Sequence, residues 1–177
     1  MARISNQQIA LKPQDLFVLF ALVAHKDGVA SYPELAARTG LAGSAVHAAL
    51  KRAAVAGLVA YRDRRPLVLK PQLREFARSG ARYAFPAVHG RLLRGVPTAY
   101  AAPPLNALIL PSSDPPPVWP HKEGKVRGVA LAPLYPTAPE AALRDEHLYE
   151  LLALFDAVRS GQAREREIAQ KKLAERI

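Results

Sequence analysis

The feature that most constrains the fold is a segment in which two glycines each end a short stretch of helical sequence. Ser31, with Glu34 three residues later, is a capping pair that begins a helix. Gly40 supplies the left-handed residue that turns the chain. A second helix is predicted from about Ser44 to residue 56, and Gly57 ends it. Ala36 is small enough for the second helix to cross it closely, and Leu41, Val46 and Leu50 are expected to fill the space between the two helices. This spacing predicts a helix-turn-helix.

The flanking sequence extends this motif on both sides. A helix is predicted to start at Pro13, where the missing N–H costs nothing, and apolar residues then recur at helical spacing as far as Val23. After the motif come a short strand at 58–61, a charged tip at 62–65 and a returning strand at 66–69. Pro71 opens a further helix that ends near residue 80. Residues 1–80 are therefore predicted to form a winged helix-turn-helix domain.

The remaining residues, 81–177, differ in composition. Residues 81–139 hold twelve of the sixteen prolines, which excludes long helices there and favours short strands, with 107–110 and 126–131 as candidates. Residues 140–177 are predicted to form two helices. The apolar stripe of the first is a core or dimer face made of Leu148, Leu151, Leu152 and Phe155. The predicted fold class is α+β, in which a winged helix-turn-helix is followed by a smaller mixed α/β region that ends in two helices.

The charge of the chain indicates an anionic partner. The net charge is +10, and residues 1–80 alone carry +7, which favours nucleic acid first and an anionic membrane second. The longest apolar run, 16–24, is much shorter than the roughly 20 residues that span a bilayer. The polar start of the chain does not resemble a signal peptide. We therefore expect a cytoplasmic protein without a membrane partner.

Catalytic and metal-binding chemistry find little support in the sequence. The chain has no cysteine, which excludes disulfides, thiolate metal sites and cysteine nucleophiles. The histidines lie far apart without ligand spacing, and no nucleophile is paired with a base. A phosphate-binding glycine loop is also missing, since residues 90–95 lack both the strand-to-helix context and the lysine. The protein is expected to be no enzyme and to need neither cofactor nor metal.

The predicted second helix of the motif presents an outward face that can enter a major groove. His47 and Lys51 are placed to reach base edges, and Ala45 or Ala48 to touch a thymine methyl group. Ser44 and the helix N-terminus suit a phosphate. The other predicted DNA-binding residues are Tyr32, Arg52 and the three arginines of the hairpin tip, Arg62, Arg64 and Arg65.

Residues 12–69 resemble the winged helix-turn-helix of bacterial regulators of the MarR-like kind. The matching positions are 34–36, 39–41, Val46, 49–52 and 56–59. The resemblance implies a transcriptional regulator that binds double-stranded DNA.

The function that follows is sequence-specific repression by a homodimer, because one small winged helix buries too little surface for specificity. An alternative is an antitoxin-like or adaptor protein that binds a partner toxin or defence enzyme through residues 81–177 and autoregulates its operon. An RNA-binding module is a third interpretation, since winged helices also serve that purpose.

Overall fold

The computed structural model describes residues 8–25, 28, 30–110 and 113–177, so the polar start of the chain lies outside the described residues. The first part of the described chain contains three helices and a hairpin, as the sequence predicts. These elements are α1 (Pro13–Ala24), α2 (Tyr32–Thr39), α3 (Gly43–Val55), β1 (Val59–Arg62) and β2 (Arg65–Val68). The two strands pair antiparallel, with Val59 opposite Val68 and Arg62 opposite Arg65.

Local capping explains where these helices begin and end. The Ser31 N–H donates to Glu34 Oε2 at 2.7 Å, and the Glu34 N–H donates to Ser31 Oγ at 3.4 Å. This reciprocal pair satisfies two amide groups that a helix N-terminus leaves without partners. Gly40 ends α2 with φ of 71°, a left-handed conformation that glycine adopts without steric cost. The tight turn between α2 and α3 is therefore encoded locally.

The segment after the hairpin is longer than predicted. It runs through α4 (Lys70–Glu75), one turn of π-helix (Phe76–Gly80) and α5 (Ala81–Ala84). The domain boundary that the composition places at residue 80 therefore falls inside a helical segment.

Three strands form the centre of the proline-rich region. They are β3 (His89–Pro97), β4 (Pro117–Pro120) and β5 (Val126–Leu131). β3 runs antiparallel to both other strands, and β4 and β5 run parallel, so that each strand pairs with the other two. The strand predicted at 126–131 is confirmed.

The prediction of a strand at 107–110 is wrong. The Leu108 and Ile109 N–H groups donate back to the Leu105 carbonyl, each at 2.9 Å, so the backbone closes into a 3₁₀ turn. Leu110 follows with 90% of its surface exposed. The apolar run resembles a buried strand in sequence, but its backbone groups bond locally and leave no ladder for a partner.

Glycines allow the three strands to approach closely. A Cβ atom on Gly95 would lie 2.1 Å from the Trp119 carbonyl oxygen, and one on Gly128 would lie 2.0 Å from the Pro116 carbonyl oxygen. Any side chain at these two positions would force the strands apart, so the small size of this three-stranded unit depends on them.

The chain ends in the two predicted helices, α7 (Glu146–Ser160) and α8 (Ala163–Arg176), preceded by a short helix α6 (Ala138–Arg144) that the sequence analysis missed. Asp145 caps α7, its Oδ1 accepting from the Leu148 N–H at 3.2 Å. The apolar stripe of α7 is fully buried within this chain. Of the two possibilities left open for that stripe, core or dimer face, the structure shows the core.

One cluster of buried side chains joins the two parts of the chain. Phe20 of α1 packs on Phe155 of α7, with ring centroids 5.2 Å apart. The hydroxyl group of Thr137 donates to the Thr39 carbonyl at 2.6 Å, directly beside the turn at Gly40. Arg38 forms an ion pair with the α7 cap Asp145. α6 and α7 therefore pack against α2 and α1 of the winged helix.

Candidate nucleic-acid interface

Helix α3 buries one face and exposes the other. Val46, Ala49, Leu50 and Ala53 are buried against α1 and α2. On the opposite side Ser44, His47 and Lys51 are exposed, while Ala45 and Ala48 are half-buried. The chain's own C-terminal half leaves this outer face open. α3 carries no carboxylate, and Lys51 is the cation of its outer face.

An aromatic cluster borders this face. The rings of Tyr32 and His47 lie 5.6 Å apart between centroids at an interplanar angle of 38°. Burial, together with a hydrogen bond to the Tyr32 side chain, raises the pKa of Tyr61 to about 12. The Tyr61 hydroxyl therefore keeps its proton at ordinary pH and remains a hydrogen-bond donor.

Tyr61 was missed by the sequence analysis, which assigned it to the strand alone. Its side chain is 47% exposed and hydrogen-bonds to Tyr32, which borders the α3 surface. Strand alternation would have placed Tyr61 on the buried side with Val59, so that pattern gave no signal for its exposure.

The tip of the hairpin presents three exposed arginines, Arg62, Arg64 and Arg65. Asp63 and Arg64 form the two-residue loop, with φ of 49° and 63°. Positive φ at both loop positions matches the type I′ turn that fits the twist of a hairpin, and glycine or asparagine is usual there. None of the three arginines forms an ion pair with a described residue. The guanidinium groups are thus available to phosphates.

The structure corrects the expected orientation of Arg52. Its guanidinium group points back to α1, where Nε donates to Asp15 Oδ2 at 2.8 Å and NH2 donates to Asp15 Oδ1 at 2.6 Å. The Asp15 side chain is fully buried. This hydrogen bond raises the pKa of Arg52 above its usual value. Arg52 therefore compensates a buried charge and stands apart from the outward residues of α3.

A comparison with protein families agrees with this geometry. Residues 11–66, which run from the start of α1 into β2, match the model of the MarR family. The N-terminal domain is a MarR-like winged helix. No curated protein and no solved structure matches the chain.

The family match covers α1, the helix-turn-helix and the wing, and it ends before α4. It indicates a DNA-binding transcriptional regulator, and MarR family proteins typically bind DNA as dimers. The match supports the resemblance seen in the sequence, while the residues after the MarR-like winged helix lie outside it.

Neither a metal site nor a membrane-spanning helix is found among the described residues. Within residues 8–25, 28, 30–110 and 113–177, no group of His, Asp and Glu side chains could hold a metal ion. The same part of the chain contains no helix that is both long and apolar enough to cross a membrane.

The wing of the MarR-like domain allows charge and backbone conformation to be separated. Arg64→Gly is expected to raise the free energy of unfolding by about 1 kcal/mol, because glycine adopts the left-handed backbone conformation of this position without the steric cost that a side chain brings. It is also expected to lower the salt dependence of DNA binding, log Kobs against log salt, by about 0.9. Denaturant titration and binding at several salt concentrations measure both quantities.

The matched control is Asp63→Gly, which relieves the same kind of backbone conformation in the same turn but keeps the arginine. Its stability should rise similarly, while its salt dependence should stay at the wild-type value. If both variants kept the wild-type salt dependence, Arg64 would make no phosphate contact.

Proposed function

We propose that this protein is a sequence-specific regulator that binds double-stranded DNA, with α3 in the major groove and the wing tip at the neighbouring backbone or minor groove. The observation that carries the proposal is the outer face of α3, which is uncovered, carries Lys51 and has no carboxylate. It lies in the same MarR-like domain as three exposed arginines that form no ion pair with a described residue. A B-form major groove is wide enough to admit such a helix.

The contacts divide by side-chain chemistry. His47 and Lys51 reach base edges, and His47 is held against the ring of Tyr32. Ser44 and the N-terminus of α3 bind a phosphate. The methyl groups of Ala45 and Ala48 allow close approach and contact thymine methyl groups.

The wing supplies the remaining contacts. Arg62, Arg64 and Arg65 neutralise phosphates beside a minor groove. Tyr61 adds a hydroxyl group beside Tyr32. Arg52 is left out of the contact set, because its guanidinium group is bound to Asp15.

The regulator acts as a cytoplasmic homodimer that represses by occupying a promoter. A two-fold axis would set two copies of α3 about one helical turn apart, or a multiple of it, on a palindromic site. A dimer also doubles the interface area, which specific binding against a genome requires.

Sequencing the genomic DNA fragments retained by the purified protein tests this proposal, since a recurring palindrome is expected among them. On that site Lys51→Ala should lower the affinity and weaken discrimination at one base pair by about 1–3 kcal/mol. Arg64→Ala should weaken specific and non-specific binding alike. Arg164→Ala on α8 is the control of equal charge change and should bind as the wild type does.

The proposal that α3 recognises base sequence would be refuted if the protein retained random fragments and if Lys51→Ala bound every duplex as tightly as the wild type does. Stronger retention of single-stranded RNA than of duplex DNA would instead favour an RNA-binding module.

A further inference from the structure

A second basic surface lies on the three-stranded unit, far along the chain from the winged helix. Arg94 of β3 and Arg127 of β5 are directly opposite each other in the antiparallel pairing, and both are exposed. Neither forms an ion pair with a described residue. Like charges in directly opposite positions destabilise a sheet, so this pair carries a cost in the isolated chain.

A third cation lies beside this pair. Lys125 is exposed and directly precedes β5, two residues before Arg127 in the sequence. The turn that contains it is held against β3, because the ideal Cβ position of Gly124 lies 2.3 Å from the backbone of Gly95. We refer to Arg94, Lys125 and Arg127 as the basic strand face.

An apolar patch adjoins the basic strand face. Leu92 and Val129 are the next pair on the same side of the two strands. Leu92 is 48% exposed, and Val129 is half-buried. Arginine beside exposed aliphatic side chains is typical of protein interfaces, whereas surfaces that bind single-stranded nucleic acid use aromatic rings.

Packed helices separate the basic strand face from α3. Trp119 of β4 and Thr98, which follows β3, bond to Asp156 of α7. α7 packs on α1, and α1 packs on α3. A duplex seated on α3 would have to bend sharply around these helices to reach the strands, and such bending costs free energy. A second partner is therefore the simpler source of an anion for the arginine pair.

We propose that the basic strand face docks an acidic segment of a partner protein, with carboxylates against Arg94 and Arg127 and an aliphatic side chain against Leu92. Carboxylates bind arginine through charge-assisted hydrogen bonds that are often bidentate. Docking would remove the repulsion between the two guanidinium groups. This surface is independent of the DNA-binding proposal.

The test uses the full chain and a fluorescein-labelled peptide of alternating glutamate and leucine, with a labelled random duplex as a second probe. The wild type is expected to bind the peptide, and Arg94→Glu/Arg127→Glu to bind it at least tenfold more weakly. Arg74→Glu/Arg164→Glu has the same net charge and should bind it as the wild type does. Leu92→Ser should weaken the peptide but not the duplex.

Stability provides a check that the variant remains folded. Arg127→Glu alone replaces a like-charge pair with an opposite-charge pair, so its thermal midpoint in low salt should be at or above that of the wild type. Equal loss of peptide binding in the two double variants would overturn the proposal, because net charge alone would explain it. The proposal would also be overturned if the random duplex displaced the peptide and Arg94→Glu/Arg127→Glu lost affinity for the duplex, because the basic strand face would then bind nucleic acid.

Discussion

Arg52→Met is expected to lower the free energy of unfolding by about 3–5 kcal/mol, because it leaves a buried carboxylate without its partner. Asp15 is fully buried, and both of its oxygens accept hydrogen bonds from the Arg52 guanidinium group. Its Oδ2 also accepts from the Lys12 N–H at 2.9 Å, which begins α1. Methionine matches the length of the arginine stem but supplies no charge or donor. Denaturant unfolding measures the loss.

The control for this prediction removes the charge on the other side. The double variant Asp15→Asn/Arg52→Met should recover part of the lost stability, because a neutral amide costs less to bury than an ion. Arg52→Lys keeps the charge but loses the bidentate geometry, so its stability should fall between those of wild type and Arg52→Met. A stable Arg52→Met protein that binds DNA more weakly would assign Arg52 to the DNA interface instead.

Asp156→Ala is expected to cause a loss of similar size, about 3–5 kcal/mol, in the other half of the molecule. The Asp156 carboxylate is buried and accepts from Trp119 Nε1 at 2.6 Å and from the Thr98 hydroxyl at 2.8 Å. It also pairs with Arg159, which bonds in turn to the Phe85 and Ala132 carbonyls. Removing Asp156 leaves the buried Arg159 without its counter-charge and the Trp119 and Thr98 donors without an acceptor.

Trp119 is the sole tryptophan of the chain, so its fluorescence reports directly on this site. Asp156→Ala should shift the emission and move the unfolding midpoint to lower denaturant. Thr98→Val is the matched control, since it removes one donor at nearly constant shape and should cost about 1 kcal/mol or less. If the two variants proved equally stable, the carboxylate would not organise the strands on α7.

Local signals were enough to predict the winged helix. Ser31 with Glu34, Gly40 and Gly57 each act within a few residues of their own position, and the apolar positions of α3 repeat at the helical period. The exposed residues Ser44, His47 and Lys51 follow from the same period. The sequence therefore predicts the elements and the outer face of this domain well.

Contacts between distant residues could not be predicted in the same way. Arg52 occupies a position beside the outward Lys51, and its partner Asp15 looks in sequence like an ordinary first-turn carboxylate. Asp156 resembles a solvated residue of an amphipathic helix, yet it is the buried acceptor for two other segments. Pairings of this kind depend on how helices pack, which composition and periodicity do not encode.

The proline-rich region shows the same limit for strands. Residues 107–110 and 126–131 are both short apolar runs, but only the second finds partners in β3 and β4. What distinguishes them is the close approach at Gly95 and Gly128, a property of three strands together rather than of either run.

α1 packs against both α3 and α7, so the winged helix and the three-stranded unit are connected through this buried helix. A protein seated on the strands would contact the Asp156 network beside α7. α7 is connected to α3 through α1, and also through α6 and α2. Any coupling between the two proposed surfaces would then run through packed helices rather than through a hinge between separate domains.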